Sequence, residues 1–211
     1  YAVQDRVDLH IAYHYPYKQN SFKNGFTTYH PLYSGNIVVK LLMSRFLPFL
    51  HTNMDNAYIK LIEEIKPDII HIHGSENDFH NIVTKTKVPV VLSVQGNITV
   101  YAYKYLSGFH GQYLSIPKKP ISFQSLVFGR DSFNKNLMWM KRLAYIEQNN
   151  LLNLKYIIGR TDWDYRITRV LAPNSKYYIG NEILRNSFYV GKWQNKDFSG
   201  KIKIHTTNAD N

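Results

Sequence analysis

The residues whose types and spacing invite chemistry are His71, His73 and His80, the Gly74-Ser75 step, Gln95-Gly96-Asn97, and two aspartates around Trp163. His71 and His73 stand two apart in an apolar run, Asp68 to His73, that reads as a strand, so both project from one face. With His80 they make one conceivable zinc set. The plainer reading packs or hydrogen-bonds His71 under a helix and leaves His73-Gly74-Ser75 at the strand end, lining a cleft; no metal is expected. Asp162-Trp163-Asp164 is an Asp-x-Asp, a pattern able to hold a divalent cation on a nucleotide diphosphate. Thr161, three residues ahead of Asp164, favours a helix cap with an acid in the first turn instead. Glu76 or Asp78 reads as a cap for the next helix, and Arg160 either faces the cleft or pairs with the neighbouring acids.

A second set interleaves rings and cations: Tyr101, Tyr103, Lys104, Tyr105, Phe109, His110 and Tyr113, then Lys118 and Lys119. Aromatic faces suit sugar rings, and lysines suit a lipid-linked diphosphate or an anionic membrane. Against this platform stands the ordinary reading, in which half of the rings are core and the lysines a solvated face.

These groups need elements to position them. Val7 to Tyr13 and Gly25 to Tyr33 read as two neighbouring strands. Between Asn53 and Ile65, Ala57, Tyr58, Leu61, Ile62 and Ile65 recur at helical spacing, and Pro67 stops that helix. Asp68 to His73 and Val88 to Val94 are short β-branched runs of the kind buried in parallel sheets, and the polar stretch Glu76 to Lys87 between them is long enough for a helix. Residues 123–152 are helix-like, with Leu137, Met138, Met140, Leu143, Ala144 and Ile146 as packing positions and Trp139 at their edge. Tyr156 to Gly159, a helix opened by Thr161, Lys176 to Ile179 and a turn from Asn181-Glu182 repeat the strand-helix alternation, and Lys201 to His205 resembles one more strand. The pattern predicts an α/β fold: a doubly wound, mostly parallel sheet with helices on both faces, whose strand carboxyl ends line the ligand edge. Residues 109–152 form an insertion or lid region.

The chain has 211 residues, enough for one good core. It has no cysteine, so disulfide staples and thiolate metal sites are excluded, and a reducing cytoplasm fits. Ile37 to Leu50, the longest apolar region, carries Lys40, Arg45 and Pro48 and is shorter than the roughly 20 residues that span a bilayer. A formal charge of +11 calls for an anionic partner: nucleic acid, a phospholipid surface or a phosphate-bearing substrate. No recognition motif supports nucleic acid, and it is set aside.

The segment IEEIKPDIIHIHGS, Ile62 to Ser75, resembles the helix, Pro-Asp, strand, His-x-His-Gly signature of the N-terminal domains of glycosyltransferase group 1 (family 4) enzymes. VPVVLSVQG, Val88 to Gly96, is similar to the strand and Gly loop that follow in that family. The block Tyr156 to Tyr189 resembles the end of the N-terminal domain in a bacterial subset that assembles surface polysaccharides. The resemblance implies the Rossmann-like half of a GT-B fold. Residues 1–198 are the acceptor-side domain, and 199–211 are a linker and the first strand of a C-terminal domain with which the chain breaks off. It further implies a retaining transferase in which the missing domain holds a UDP- or GDP-sugar, with no cofactor in this fragment. A carbohydrate or lipid-linked acceptor binds at the cleft edge, in the cytoplasm, with peripheral contact at the inner face of an anionic membrane. The acceptor-cleft residues are then His73, Gly74, Ser75, Gln95, Gly96, Asn97, Arg160, Asn181 and Glu182, and the acceptor platform Tyr101, Tyr103, Lys104, Lys118 and Lys119.

Two departures qualify the resemblance. The Glu-x7-Glu pair that contacts the donor has no counterpart, since no two glutamates stand eight apart. Gln95 also stands where many members have a His, and a neutral amide cannot serve as a base. The rival readings are a basic nucleic-acid or phosphate-binding module without enzymatic activity, a doubly wound signalling domain, which lacks the acidic cluster it would need, and a GT-A enzyme, recognisable by dependence on manganese.

Overall fold

The computed structural model describes residues 6–35, 54–105, 107, 132–181, 183 and 186–192. Two compact units divide the chain, Tyr1–Gly180 and Asn181–Asn211. The short helix Asn186–Val190 is the second unit's described element. The expected lid residues 109–131, the tail 199–211 with its Lys201 to His205 strand, and the apolar run Ile37 to Leu50 lie outside the described residues.

The first unit opens with a three-stranded sheet: β1 (Leu9–Tyr15), β2 (Phe22–Asn24) and β3 (Thr27–Tyr33), in the order β1-β3-β2. β1 runs parallel to β3, with Leu9 opposite Thr27, while β2 folds back antiparallel on the other side of β3. The two neighbouring strands expected here are therefore joined by a small hairpin strand hidden in the polar loop.

Helix α1 (Asp55–Ile65) ends where Pro67 requires. Its cap residue Lys66 turns left-handed at φ 52° and returns its amide to Ile62. Four parallel strands follow, β4 (Ile70–His73), β5 (Val90–Ser93), β6 (Tyr156–Gly159) and β7 (Lys176–Ile179), hydrogen-bonded side by side in the order of the sequence. The link from β4 to β5 is a 3-10 helix, Asp78–Thr84, in place of the α-helix the spacing suggested. From β5 to β6 the chain passes through α2 (Ile98–Lys104) and α3 (Ser132–Leu151), and from β6 to β7 through α4 (Asp162–Leu171). The fold is α/β, a parallel sheet flanked by helices, as the alternation predicted.

One core fastens these pieces together. Ile72, Val90, Leu92 and Ile157 from one sheet face meet Met54 and Tyr58 of the α1 region, Ile82 of the 3-10 helix, Leu151 and Leu154 at the end of α3, and Leu171 and Ala172 at the end of α4. Ile157, wholly removed from water, contributes roughly 1.5–3 kcal/mol of transfer free energy. The alternate positions His71, His73 and Tyr178 project from the other face and remain exposed. A smaller cluster of Ile98, Ala102 and Ala144 packs α2 against α3.

Candidate functional site

Parallel strands that start in step also end in step, so their carboxyl ends form one rim. His73 lies opposite Ser93, Ser93 beside Ile158, and Gly159 opposite Ile179. Just past these ends the backbones stay close: the Gly74 amide donates to the Ser93 carbonyl at 2.9 Å and the Gly180 amide to the Gly159 carbonyl at 3.0 Å. Gly74 takes φ +84°, a conformation few side-chain-bearing residues adopt. At Gly159 and Gly180 the space a Cβ would need is filled by Tyr177 and Asp164 and by Ile158. At Gly74 and Gly96 it is filled instead by one carboxylate, that of Glu76, whose two oxygens lie against the two glycines.

A second carboxylate holds these loops from behind. Glu147 of α3 is completely buried. It accepts from the Ser75 hydroxyl, from the Ile98 and Thr99 amides at 3.2 and 2.7 Å, and from the Thr99 hydroxyl at 2.5 Å. A buried charge is tolerable only when donors replace its water, and the open first turn of α2 supplies two of them. Asn97 completes that turn by accepting from the Val100 amide at 2.9 Å. The rim after β4, the rim after β5 and helix α3 are thus one hydrogen-bonded assembly.

The residues singled out from the sequence fall into place unevenly. His73, Gly74, Ser75, Gln95 and Gly96 gather where β4 and β5 end, with His73 exposed and Ser75 buried in its bond to Glu147. His71 points to the same face as His73, their rings 6.3 Å apart and edge to face, and its Nε2 lies 2.6 Å from the Ser93 hydroxyl. The part of its ring that the sheet shields from water, and next the neighbouring His73, hold the His71 imidazole below its ordinary pKa. His80 is inside the molecule with Asn150 at 2.8 Å, and among the described residues no three His, Cys, Asp or Glu side chains gather in a way that would hold a metal ion.

Arg160 is exposed at the end of β6. Asp164 accepts from the Arg160 and Thr161 amides at 2.8 and 3.0 Å while Thr161 accepts from the Asp164 amide, a complete capping box on α4. The Asp-x-Asp is therefore a cap, and its other acid, Asp162, pairs with Arg166 at 2.6 Å. Tyr101, Tyr103 and Lys104 sit on α2, all exposed, with the Tyr101 hydroxyl 3.1 Å from the position a Gly96 Cβ would take. Asn181 belongs to the second unit and is exposed. Glu182, Lys118 and Lys119 lie outside the described residues.

Sequence reasoning missed Glu147, and also a cluster at the end of β1. There the Tyr58 hydroxyl donates to Asp78 at 2.5 Å, with His14 Nε2 at 2.5 Å from the same oxygen and its ring stacked 4.5 Å from that of Phe79. Burial first, then the bond to Asp78, push the Tyr58 phenol far above its ordinary range, so it acts only as a hydrogen-bonding hydroxyl. Lower in the same sheet His10 and His30 share a 2.8 Å contact, and His30 Nδ1 meets the Ser21 hydroxyl at 2.8 Å. His30 is held below its usual pKa by burial and by His10, and His80 by burial, partly offset by Glu147, Asp78 and a bond to the Ser75 backbone.

Neutral histidines of this kind have a stability consequence. Below the ordinary histidine pKa of about 6.5 the unfolded chain protonates at His30, His71 and His80 before the folded one does. Stability is then full above that value and declines as pH falls through it. The melting temperature is expected to drop between about pH 7 and about pH 5, and His80→Gln is expected to flatten the slope. A slope unchanged in that variant would remove His80 from the account.

A family model described as glycosyl transferase 4-like matches residues 2–119, more than half of the 211. The match takes in β1 to β5, α2 and the Gly74 and Gly96 loops. No curated protein and no solved structure matches the chain. An α/β unit with a parallel sheet, a rim of strand-end glycines and this match together lead to one assignment: the chain belongs to the glycosyl transferase 4-like family.

Proposed function

We propose that this chain is the acceptor-side half of a retaining, sugar-nucleotide-dependent glycosyltransferase of group 1 type that works in bacterial surface-polysaccharide or glycolipid assembly. The observation that carries the reading is the rim itself: His73, Glu76, Gln95 and Gly96 meet at the carboxyl edge of a parallel sheet, the edge at which open α/β sheets bind ligands. In this reading a second Rossmann-like domain holds the UDP- or GDP-sugar, and the acceptor is a carbohydrate or a lipid-linked carbohydrate.

The surface of α2 and α3 supports a lipid-linked acceptor. Tyr103, Met138, Trp139 and Tyr145 are exposed there together with Lys104, Lys141 and Arg142. Rings and cations on these helices suit an anionic bilayer, which supports work at the inner, cytoplasmic face of a membrane. Among the described residues no helix is long and apolar enough to cross one.

Transfer assays test the division of labour. With UDP-glucose, UDP-N-acetylglucosamine or GDP-mannose and a bacterial lipid extract, the chain alone is expected to stay at background. The same polypeptide extended by a donor-binding domain is expected to label lipid or glycan. Labelling by the chain alone would overturn the proposed split, and silence of the extended polypeptide with every donor and acceptor tried would overturn the transferase reading.

A further inference from the structure

The two carboxylates at the rim differ in how their oxygens are used. Glu147 is saturated by four protein donors. Glu76 is partly exposed, and among the described residues no protein group bonds its carboxylate. It does not cap the helix that follows, since the cap residue there is Asn77 and no side-chain cap bond forms. Instead it lies across two glycines from two different strand ends. A methyl group on Gly74 would overlap its Oε2, and one on Gly96 its Oε1. The Tyr101 hydroxyl lies 3.1 Å from the second of these positions and the Gln95 Cβ 3.5 Å from the first. The Glu76 carboxylate, the Tyr101 phenol and the Gln95 side chain therefore stand together over the two glycines.

We infer that Glu76 receives the acceptor sugar, its two oxygens taking hydrogen bonds from a pair of adjacent neutral hydroxyls. The inference rests on reading the rim as the acceptor side. Ionised, a carboxylate only accepts, and O–H donors to it make bonds about twice as strong as neutral ones. Two oxygens set side by side match the two O–H groups of a vicinal diol, and the paired glycines leave the room in which the carboxylate lies. The same charge repels phosphate. The group bound at this point is thus a neutral polyol, and any diphosphate of a lipid-linked acceptor lies away from Glu76.

The test is a chemical-shift titration of the whole chain with methyl α-glucopyranoside, methyl α-galactopyranoside and methyl α-mannopyranoside, with inorganic phosphate as a fourth ligand. At least one glycoside is expected to shift Gly74, Gln95 and Gly96. Glu76→Gln is expected to weaken its binding about tenfold or more, the effect of losing a charge-assisted bond. Gly96→Ala, which keeps the charge but fills the space the carboxylate occupies, is expected to weaken binding similarly. A monodeoxy glycoside lacking a bound hydroxyl should no longer distinguish the wild type from Glu76→Gln. Rim shifts with equal affinity in the wild type and in both variants would sink the role of Glu76 while leaving the acceptor rim in place. No rim shift with any glycoside would sink the acceptor-rim reading and this inference with it. Displacement of a glycoside from the Gly96 resonances by phosphate would overturn the neutral-polyol assignment.

Discussion

Replacing Glu147 with alanine is expected to destabilise the Tyr1–Gly180 unit by roughly 3–5 kcal/mol, the range seen when one member of a buried charged network is removed. The reason is the company it keeps. Without the carboxylate, the Ile98 and Thr99 amides lose their acceptor in a buried region, and the Ser75 and Thr99 hydroxyls keep only long 3.4 Å contacts with the Gly96 and Ala144 carbonyls. For a domain of this size the loss corresponds to a fall in melting temperature of about 6–20 °C. Glu147→Gln should recover little, because an amide offers one accepting oxygen and turns an NH2 toward donors. Urea melts of the three proteins check the ordering, and hydrogen exchange at Ile98 and Thr99 should accelerate in both variants. A loss below about 1 kcal/mol in the alanine variant would mean that water or another side chain replaces the carboxylate, contrary to the account given.

Gly159→Ala is expected to cost roughly 2–4 kcal/mol although it adds a single methyl group. That methyl would lie 2.8 Å from the Asp164 Cβ and from a Tyr177 ring carbon. Tyr177 can swing away at the cost of its 3.3 Å contact with the Thr161 carbonyl. Asp164 cannot move cheaply, since its carboxylate closes the first turn of α4 through the Arg160 and Thr161 amides. Over-packing and cap disruption therefore come together. In a double-mutant cycle with Tyr177→Ala the two losses should be sub-additive, because removing the ring clears part of the space. Strict additivity would show that the clash lies entirely with the α4 cap.

The elements of this fold were legible wherever local rules govern. Asp68 to His73 and Val88 to Val94 announced β4 and β5 by β-branched runs, Pro67 ended α1, and Thr161 with Asp164 gave the start of α4. The link at Asp78–Thr84 is a 3-10 helix where the spacing suggested an ordinary one, and the seven residues of α2 are too few to show a period. At the site, strand ends gave His73, Gln95 and Gly96, since a parallel sheet brings them to one edge. Glu147 was illegible: it bonds Ser75 across 72 residues, and on α3 it resembles any polar position of an amphipathic helix. Glu76 was taken for a cap because its neighbours in sequence, not the glycine 20 residues on, were in view. Tertiary pairs of this kind leave no local signature.

The strand order has a bearing on where chemistry can settle. From β4 to β7 the sheet grows in a single direction, each strand laid outside the last. Crevices in open α/β sheets form where that growth changes direction and two neighbouring connections part to opposite sides. No such parting occurs between any two of β4, β5, β6 and β7, so a crevice of that kind has no place between these strands. On the acceptor-side reading proposed above, retargeting variants belong at the Gly74 and Gly96 loops, where the rim residues meet, and not along the outer strands.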